Sequence, residues 1–288
     1  MTTFEIKEKI KQIASICGIA SDEVDLAKSL VAGKCKDKNL FVCEGLWASD
    51  KLIQKKFDTS LFLICNERLE ELEDEKELEQ ILALAKYAKK TCLVSKKACK
   101  KISDRDGADE YFIVSKLKSF TLSDIEKMFE DKDEILAIVT DGLEQPGNIG
   151  AILRSFDCAG GDFAIITNAQ ARLSNSRLIR ASLGASFMMP VLEAEIDEVQ
   201  NWLVKNKFRC VVTDLSSKTS YKDVSAKGRV AIVAGNEHTG ISDSWRKLEN
   251  AERVIIPMLG SCESLNVGFA STLVAYEIGL KKFGNKKN

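Results

Sequence analysis

Histidine is almost missing from this chain: its 288 residues hold one, His238. Cysteine is present nine times (17, 35, 43, 65, 92, 99, 158, 210 and 262), yet no two stand as C-x-x-C. With one imidazole and no paired-thiol spacing, no zinc or other metal site is expected. An odd, scattered set does not read as a disulfide framework either, so reduced thiols in a cytoplasmic protein are the simpler expectation. No apolar run approaches membrane-spanning length, and the opening MTTFEIKEKIKQIASICGIA is charged and amphipathic rather than signal-like. Net charge is only −1 with a pI near 6.1, so no global positive field exists and any polyanion site must be local. Both common nucleotide fingerprints are absent: there is no G-x-x-x-x-G-K-[ST] and no G-x-G-x-x-G after a strand. That disfavours a dinucleotide oxidoreductase.

What remains is an ordinary globular composition, 45% hydrophobic and 30% charged, with material for two domains. The spacing of Ile6, Ile10 and Ile13 predicts an opening helix over Phe4–Leu30, and a second long helix is predicted over Glu67–Lys90. Short strands are predicted at Leu40–Cys43, Ser60–Cys65, Thr91–Val94 and Tyr111–Val114. The charged stretch 116–131 reads as a linker. A second series follows, with strands at Glu134–Thr140, Phe163–Thr167, Phe187–Leu192, Phe208–Thr213, Val230–Ala234 and Arg253–Ile256. Its helices are predicted near Ile149–Cys158, Ser176–Leu183, Glu195–Lys205 and Leu265–Lys282. Alternating strands and helices predict two α/β domains, 1–115 and 132–288. Apolar strands without clean alternation suggest that the second sheet is covered on both faces. The basic run Lys86, Lys89, Lys90, Lys96, Lys97, Lys100 and Lys101 follows the acidic stretch Glu67–Glu79. It reads either as a solvated helix or as an RNA patch.

All three prolines, Pro146, Pro190 and Pro257, lie in the second half, and two of them mark polar turns that follow strands. The first turn is DGLEQPGNIGAILRSFDCAGG (Asp141–Gly161), where Asn148 can cap a helix and Arg154 interrupts an apolar run. Such an arginine needs a phosphate or other polar partner, or else snorkels to the surface. The second is AGNEHTGIS (Ala234–Ser242), whose Glu237 could cap the helix that follows; His238 reads as an incidental turn residue. The third, IIPMLGSCESLNVGFASTLVAYEI (Ile255–Ile278), stops a buried strand at Pro257 and opens an apolar helix after short polar residues. Such a loop presents free backbone N–H groups to a ligand at a helix N-terminus. In an open α/β sheet, loops at the carboxyl ends of strands converge, so three of them point to one site.

N-x-G-A-x-x-R (Asn148–Arg154), G-x-E-x-x-G (Gly235–Gly240) and I-P-M-x-G-x-x-x-S-L-N-V (Ile256–Val267) resemble the three signature motifs of the SpoU (TrmH-like) RNA ribose methyltransferases. The resemblance runs from about Glu134 to Gly279; one departure is Gly268–Ala270, GFA where SVA is more usual. The first half is similar to that family's L30e-like substrate-binding domain, on FVCEG (Phe41–Gly45) and the strand–helix rhythm. The resemblance implies a C-terminal SPOUT domain with a trefoil knot, S-adenosyl-L-methionine as cofactor, and a homodimer whose active sites borrow from both copies. By position, Arg154 matches the catalytic arginine, Asn148 the first-motif asparagine, Glu237 the second-motif glutamate, and Ser264 and Asn266 the polar pair of the third. Gly235, Ile256 and Leu265 match cofactor-contacting positions, with Thr213, Asp214, Leu215, Asn236 and Met258 near them. Arg177 and Arg180, with Arg172 beside them, match a region facing RNA; Lys97 and Lys100 are the alternative patch. The implied reaction is attack of a ribose 2′-hydroxyl on a sulfonium methyl. The implied substrate is 23S ribosomal RNA, with transfer RNA, or a non-catalytic assembly role on the same fold, as the rival readings.

Overall fold

A computed structural model describes residues 1–103 and 110–284. Two compact units share the chain: Met1–Lys118 with Leu173–Gly184, and Ser119–Arg172 with Ala185 onward.

The first unit has five strands, β1 (Ser15–Ile16), β2 (Leu40–Glu44), β3 (Thr59–Cys65), β4 (Thr91–Val94) and β5 (Tyr111–Lys116), in the order β1-β4-β3-β5-β2. β1, β4 and β3 run parallel, whereas β5 is antiparallel to both β3 and β2. The expected single opening helix is two, α1 (Thr3–Ile13) and α2 (Asp22–Val31). The chain turns extended at Ala14, pairs as β1, and restarts at Ser21, whose side chain accepts from Val24 N–H. After α3 (Ser49–Gln54), the helix expected over Glu67–Lys90 divides into α4 (Asn66–Glu71) and α5 (Glu75–Tyr87). Asp74 caps the second piece by accepting from Glu77 N–H at 3.0 Å. A further helix, α6 (Lys96–Ile102), follows β4. Not every thiol is free: Cys17 and Cys92 form a disulfide, with Cα atoms 5.8 Å apart, within bridging range. The parallel pairing of Ser15 with Cys92 carries Cys17 to its partner across a separation of 75 residues, and this corrects the expectation of reduced thiols throughout.

Charge hides a helix in the stretch 116–131. Thr121 and Asp124 form a reciprocal capping box that starts α7 (Leu122–Met128). Then come β6 (Ile135–Asp141), α8 (Pro146–Cys158) and β7 (Phe163–Thr167). The next helix, α9 (Ser176–Ser182), lies in the segment that belongs to the first unit. The chain re-enters the second unit through α10 (Ala185–Met188), β8 (Val191–Glu193), α11 (Ile196–Lys205), β9 (Arg209–Thr213), β10 (Arg229–Ala234), α12 (Asp243–Arg246), β11 (Ala251–Val254) and α13 (Val267–Phe283). The strand expected over Phe187–Leu192 therefore begins as helix through Met188, and only the residues after Pro190, which has no N–H to give a ladder, become β8.

All six strands of this unit run parallel in the order β11-β9-β10-β6-β7-β8. Every residue of β6 is buried, as a sheet covered on both faces demands. Its first strand in sequence sits inside the sheet. From β6 the chain moves to one side through β7 and β8, crosses to β9 on the other side, steps inward to β10 beside β6, and ends at β11 beyond β9. That reversal between β6 and β10 opens a crevice at their carboxyl ends. α13 packs on α8, and a Cβ at Gly279 would meet Ala159 O at 2.2 Å, so only glycine permits this approach. Among the described residues, no helix is long and apolar enough to cross a membrane.

Candidate active site

Thr140 on β6 pairs with Ala234 on β10, so the first two polar turns leave the sheet side by side. Glu237, in the second, accepts from Asn148 Nδ2 at 3.0 Å, from Glu144 N–H at 3.1 Å and from Gln145 N–H at 3.3 Å. Its carboxylate thus fastens the turn leading into α8, not the helix that follows it in sequence. Asn236 ties the same two turns, donating to Gly142 O at 2.8 Å while its own oxygen accepts from His238 and Thr239 N–H. Asn148 does not cap α8, since Gln145 holds that position. Its side-chain oxygen accepts instead from Asn266 Nδ2 at 3.3 Å, and Asn266 Oδ1 in turn accepts from Gly268 N–H at 2.8 Å to cap α13. A relay Glu237–Asn148–Asn266 therefore joins three motifs far apart in sequence. Gly268 has its own reason: a Cβ there would lie 3.1 Å from Asn266 Oδ1.

Burial pushes the Glu237 carboxyl up, but donation from Asn148 and from backbone N–H groups outweighs it and holds its pKa below the ordinary value. A carboxyl depressed in the folded state contributes stability above its unfolded pKa of about 4.3, and loses it as pH falls through the folded value. Glu237→Gln is therefore expected to lower the urea midpoint near neutrality. The gap from the unmodified protein should close as the pH drops below the carboxylate range; a gap independent of pH would contradict the clamp.

Beneath the turns lies a cavity of about 550 Å³. Thr213, Asp214, Leu215, Gly235, Asn236, Ile256, Met258, Ser264, Leu265 and Asn266 all border it. Sequence reasoning missed Arg246, which also borders it and donates through Nε to Asp214 Oδ2 at 3.2 Å. Burial raises the Asp214 carboxyl, yet bonds from Ser216 and Arg246 bring it below its ordinary value. The one local signal was Asp243, three residues before Arg246 on α12 and 2.9 Å from its Nη1.

Residues 135–276 match the SpoU rRNA Methylase family. That segment, just under half of the chain, belongs to this family. A TrmH-family tRNA/rRNA methyltransferase of Staphylococcus epidermidis is 34% identical over 153 residues, 50% of this chain and 58% of that protein. A 23S rRNA uridine 2′-O-methyltransferase of Streptomyces viridochromogenes is 31% identical over 152 residues, 51% of this chain and 53% of that one. The match thus spans little more than half of such relatives. A solved rRNA methyltransferase from Sinorhizobium meliloti with AdoMet bound shares the fold, with a TM-score of 0.78 and 20% identity over 91% of this chain and 97% of that chain.

Within the SpoU half, Arg154 stands apart from the relay. It is exposed on α8, six residues past Asn148, and does not border the cavity of its own chain. Its expected place among core-facing positions is corrected by the helical period. Ile149, Ile152, Leu153 and Phe156 face the core, while Ala151, Arg154 and Cys158 form the open face. Among the described residues its guanidinium has no ion-pair partner. Arg172 and Arg177 are exposed, whereas Arg180 pairs with Glu44 at 3.1 Å. In the lysine run, Lys89, Lys90, Lys96 and Lys101 are matched by Asp58, Glu23, Glu110 and Asp25. Lys97 and Lys100 are exposed and belong to none of those pairs.

Proposed function

We propose that the protein is an S-adenosyl-L-methionine-dependent RNA 2′-O-ribose methyltransferase acting on 23S ribosomal RNA in the cytoplasm. One observation carries the reading: residues of the second and third motifs border a single cavity, and the Glu237–Asn148–Asn266 relay fastens the first motif to both. Support also comes from the relatives named as rRNA methyltransferases and from the AdoMet held by a neighbour of the same fold.

The cavity suits the cofactor. About 550 Å³ falls within the roughly 300–1,000 Å³ common for small-ligand sites. Leu215, Ile256, Met258 and Leu265 offer apolar walls, while the turns at Gly235 and Ser264 offer backbone polar groups. Bound S-adenosyl-L-methionine supplies a methyl group already activated by its sulfonium. The chain's residues then have to place a ribose hydroxyl in line and manage one proton. A guanidinium is a poor base in general, so the role we give Arg154 is to hold the hydroxyl oxygen and stabilise the alkoxide as it develops, while another group or water takes the proton.

A homodimer belongs to this reading. Phe269, Leu273, Tyr276 and Leu280 are 69%, 41%, 40% and 65% exposed along one stripe of α13. A second copy would cover that stripe and bring its Arg154 toward the cavity that lacks one. The trefoil knot and the L30e-like role of the first unit complete the proposal. The bridge between Ser220 and Ile255, and Lys281 donating to Val224 O at 3.2 Å, support a C-terminal segment wrapped by the loop that precedes it.

The test is transfer of labelled methyl to purified ribosomal and transfer RNA, with the modified ribose mapped. Label in 23S RNA is expected. Label in transfer RNA alone would correct the substrate, and no transfer together with no heat on titrating S-adenosyl-L-methionine would favour a non-catalytic assembly factor.

A further inference from the structure

The segment Leu173–Gly184 sits between two strands of the SpoU sheet in sequence, yet three contacts hold it to the first unit. Ser176 Oγ donates to Val31 O at 2.9 Å, Lys51 Nζ donates to Leu183 O at 2.6 Å, and Arg180 Nη1 meets Glu44 Oε1 at 3.1 Å. The first two end on backbone carbonyls. The third ends on a buried charge, because the Glu44 side chain is only 4% exposed. A carboxylate so placed needs a cation and further donors. Arg180 is the cation, and Ser103 Oγ donates to Glu44 Oε2 at 2.7 Å.

Backbone geometry keeps this carboxylate aimed. Glu44 ends β2, and Gly45 follows at φ 98°, a conformation open to glycine. Trp47 Nε1 then bonds back to Glu44 O at 2.9 Å and closes the bend. The turn thus fixes the Glu44 backbone, and the bonds from Arg180 and Ser103 hold its carboxylate. Its partner is less confined: the Arg180 side chain remains 40% exposed, so part of the guanidinium faces solvent. One turn earlier on the same helix, Arg177 is exposed. α9 has seven residues, too few to hold a helical shape without docking, so the direction of both arginines depends on what pins the helix.

We infer that Glu44 is a positioning residue for RNA: by gripping Arg180 it fixes α9 so that Arg177 and the outer edge of the Arg180 guanidinium meet the RNA phosphate backbone together. This rests on the proposed function for the identity of the ligand. Glu44 itself is acidic and buried and does not touch the RNA. Its part is to remove, before binding, the freedom two arginines would otherwise lose on meeting a phosphate.

The test measures affinity for a 23S RNA fragment across a salt series, together with KM, kcat and S-adenosyl-L-methionine affinity. The proteins compared are the full chain, Glu44→Gln, Arg177→Ala and the double variant. Glu44→Gln is expected to weaken RNA binding about tenfold, equal to about 1.4 kcal/mol. It should also flatten the salt slope by about one counterion, raise KM for RNA, and leave kcat and cofactor affinity unchanged. Arg177→Ala should cost less in the Glu44→Gln background than alone, because a helix already loose has less to lose. A purely structural Glu44 would lower thermal stability yet leave RNA affinity and the Arg177 effect unchanged at temperatures where both proteins are folded, and that overturns the inference. Should Glu44→Gln not fold, Ser103→Ala loosens the carboxylate without unpairing it; there a smaller loss of RNA affinity supports the inference and no loss overturns it. RNA affinity is read apart from methyl transfer, so an inactive but RNA-binding protein would sink the enzymatic reading alone. A protein that binds no RNA sinks the role of Glu44.

Discussion

Arg154→Ala is expected to slow methyl transfer to RNA by about 10²–10³-fold or more and to leave the affinity for S-adenosyl-L-methionine unchanged. Arg154 lies on the open face of α8 and does not border the cavity of its own chain. Its loss therefore should cost no more than about 0.5 kcal/mol of stability, as for surface positions generally. What disappears is a fixed positive charge beside an oxygen becoming negative, and removing such a donor typically slows a reaction by about 10²–10³-fold. Single-turnover rates on a saturating RNA fragment, with calorimetry for the cofactor, separate the two effects. Full activity would remove Arg154 from the mechanism. Mixing subunits then asks which copy supplies it. Arg154→Ala paired with a variant whose cavity is broken should recover activity, because the intact cavity of one subunit receives the intact arginine of the other. If the mixture stays inactive while mixed dimers form, the arginine serves its own chain, and the shared-site proposal falls while the catalytic role stands.

The three polar turns were legible because each is a local event. A buried strand ends, glycine or proline stops it, and a capped helix begins; a parallel sheet then gathers such turns at one edge. That logic pointed to one site, and the resemblance to the SpoU motifs supplied the ten residues expected there, all of which border the cavity. It failed wherever the partner was distant in sequence. Glu237 was read as a cap for the helix after it, yet it serves a turn 92 and 93 positions earlier. Nothing local to Arg180 showed that Glu44, 136 positions away, holds part of its guanidinium. Local reading also misjudged breaks: apolar spacing carried the opening helix through Gly18 and Ser21, and the run of glutamates hid the cap at Asp74. Arg154 could have been placed correctly from the helical period alone, since Ala151 and Cys158 share its face.

Gly235→Ala should weaken cofactor binding strongly while leaving the sheet folded, and the reason is not the one suggested by its motif. Gly235 has no left-handed φ that would demand glycine. The demand is spatial: a Cβ there would lie 2.5 Å from the Gly240 carbonyl carbon and oxygen, and 2.6 Å from Ile241 N. All three are backbone atoms of the returning arm of the turn. That arm is pinned by reciprocal Asn236–Gly240 backbone bonds of 3.0 Å and by the Asn236 side chain bonded to Gly142 O. It cannot withdraw without breaking those bonds and shifting Glu237, which holds the entry to α8. Overpacking of this kind costs about 1–3 kcal/mol, and here it falls on the wall of the cavity. Converted to affinity, that is about fivefold to about 150-fold weaker S-adenosyl-L-methionine binding. Gly240→Ala makes the sharper comparison, since its added Cβ meets nothing within 4 Å and only its φ of 70° resists. Calorimetry should therefore rank Gly235→Ala as the worse binder, with similar far-UV circular dichroism for both. The opposite ranking would mean that backbone conformation, not the crossing of the two arms, shapes the site.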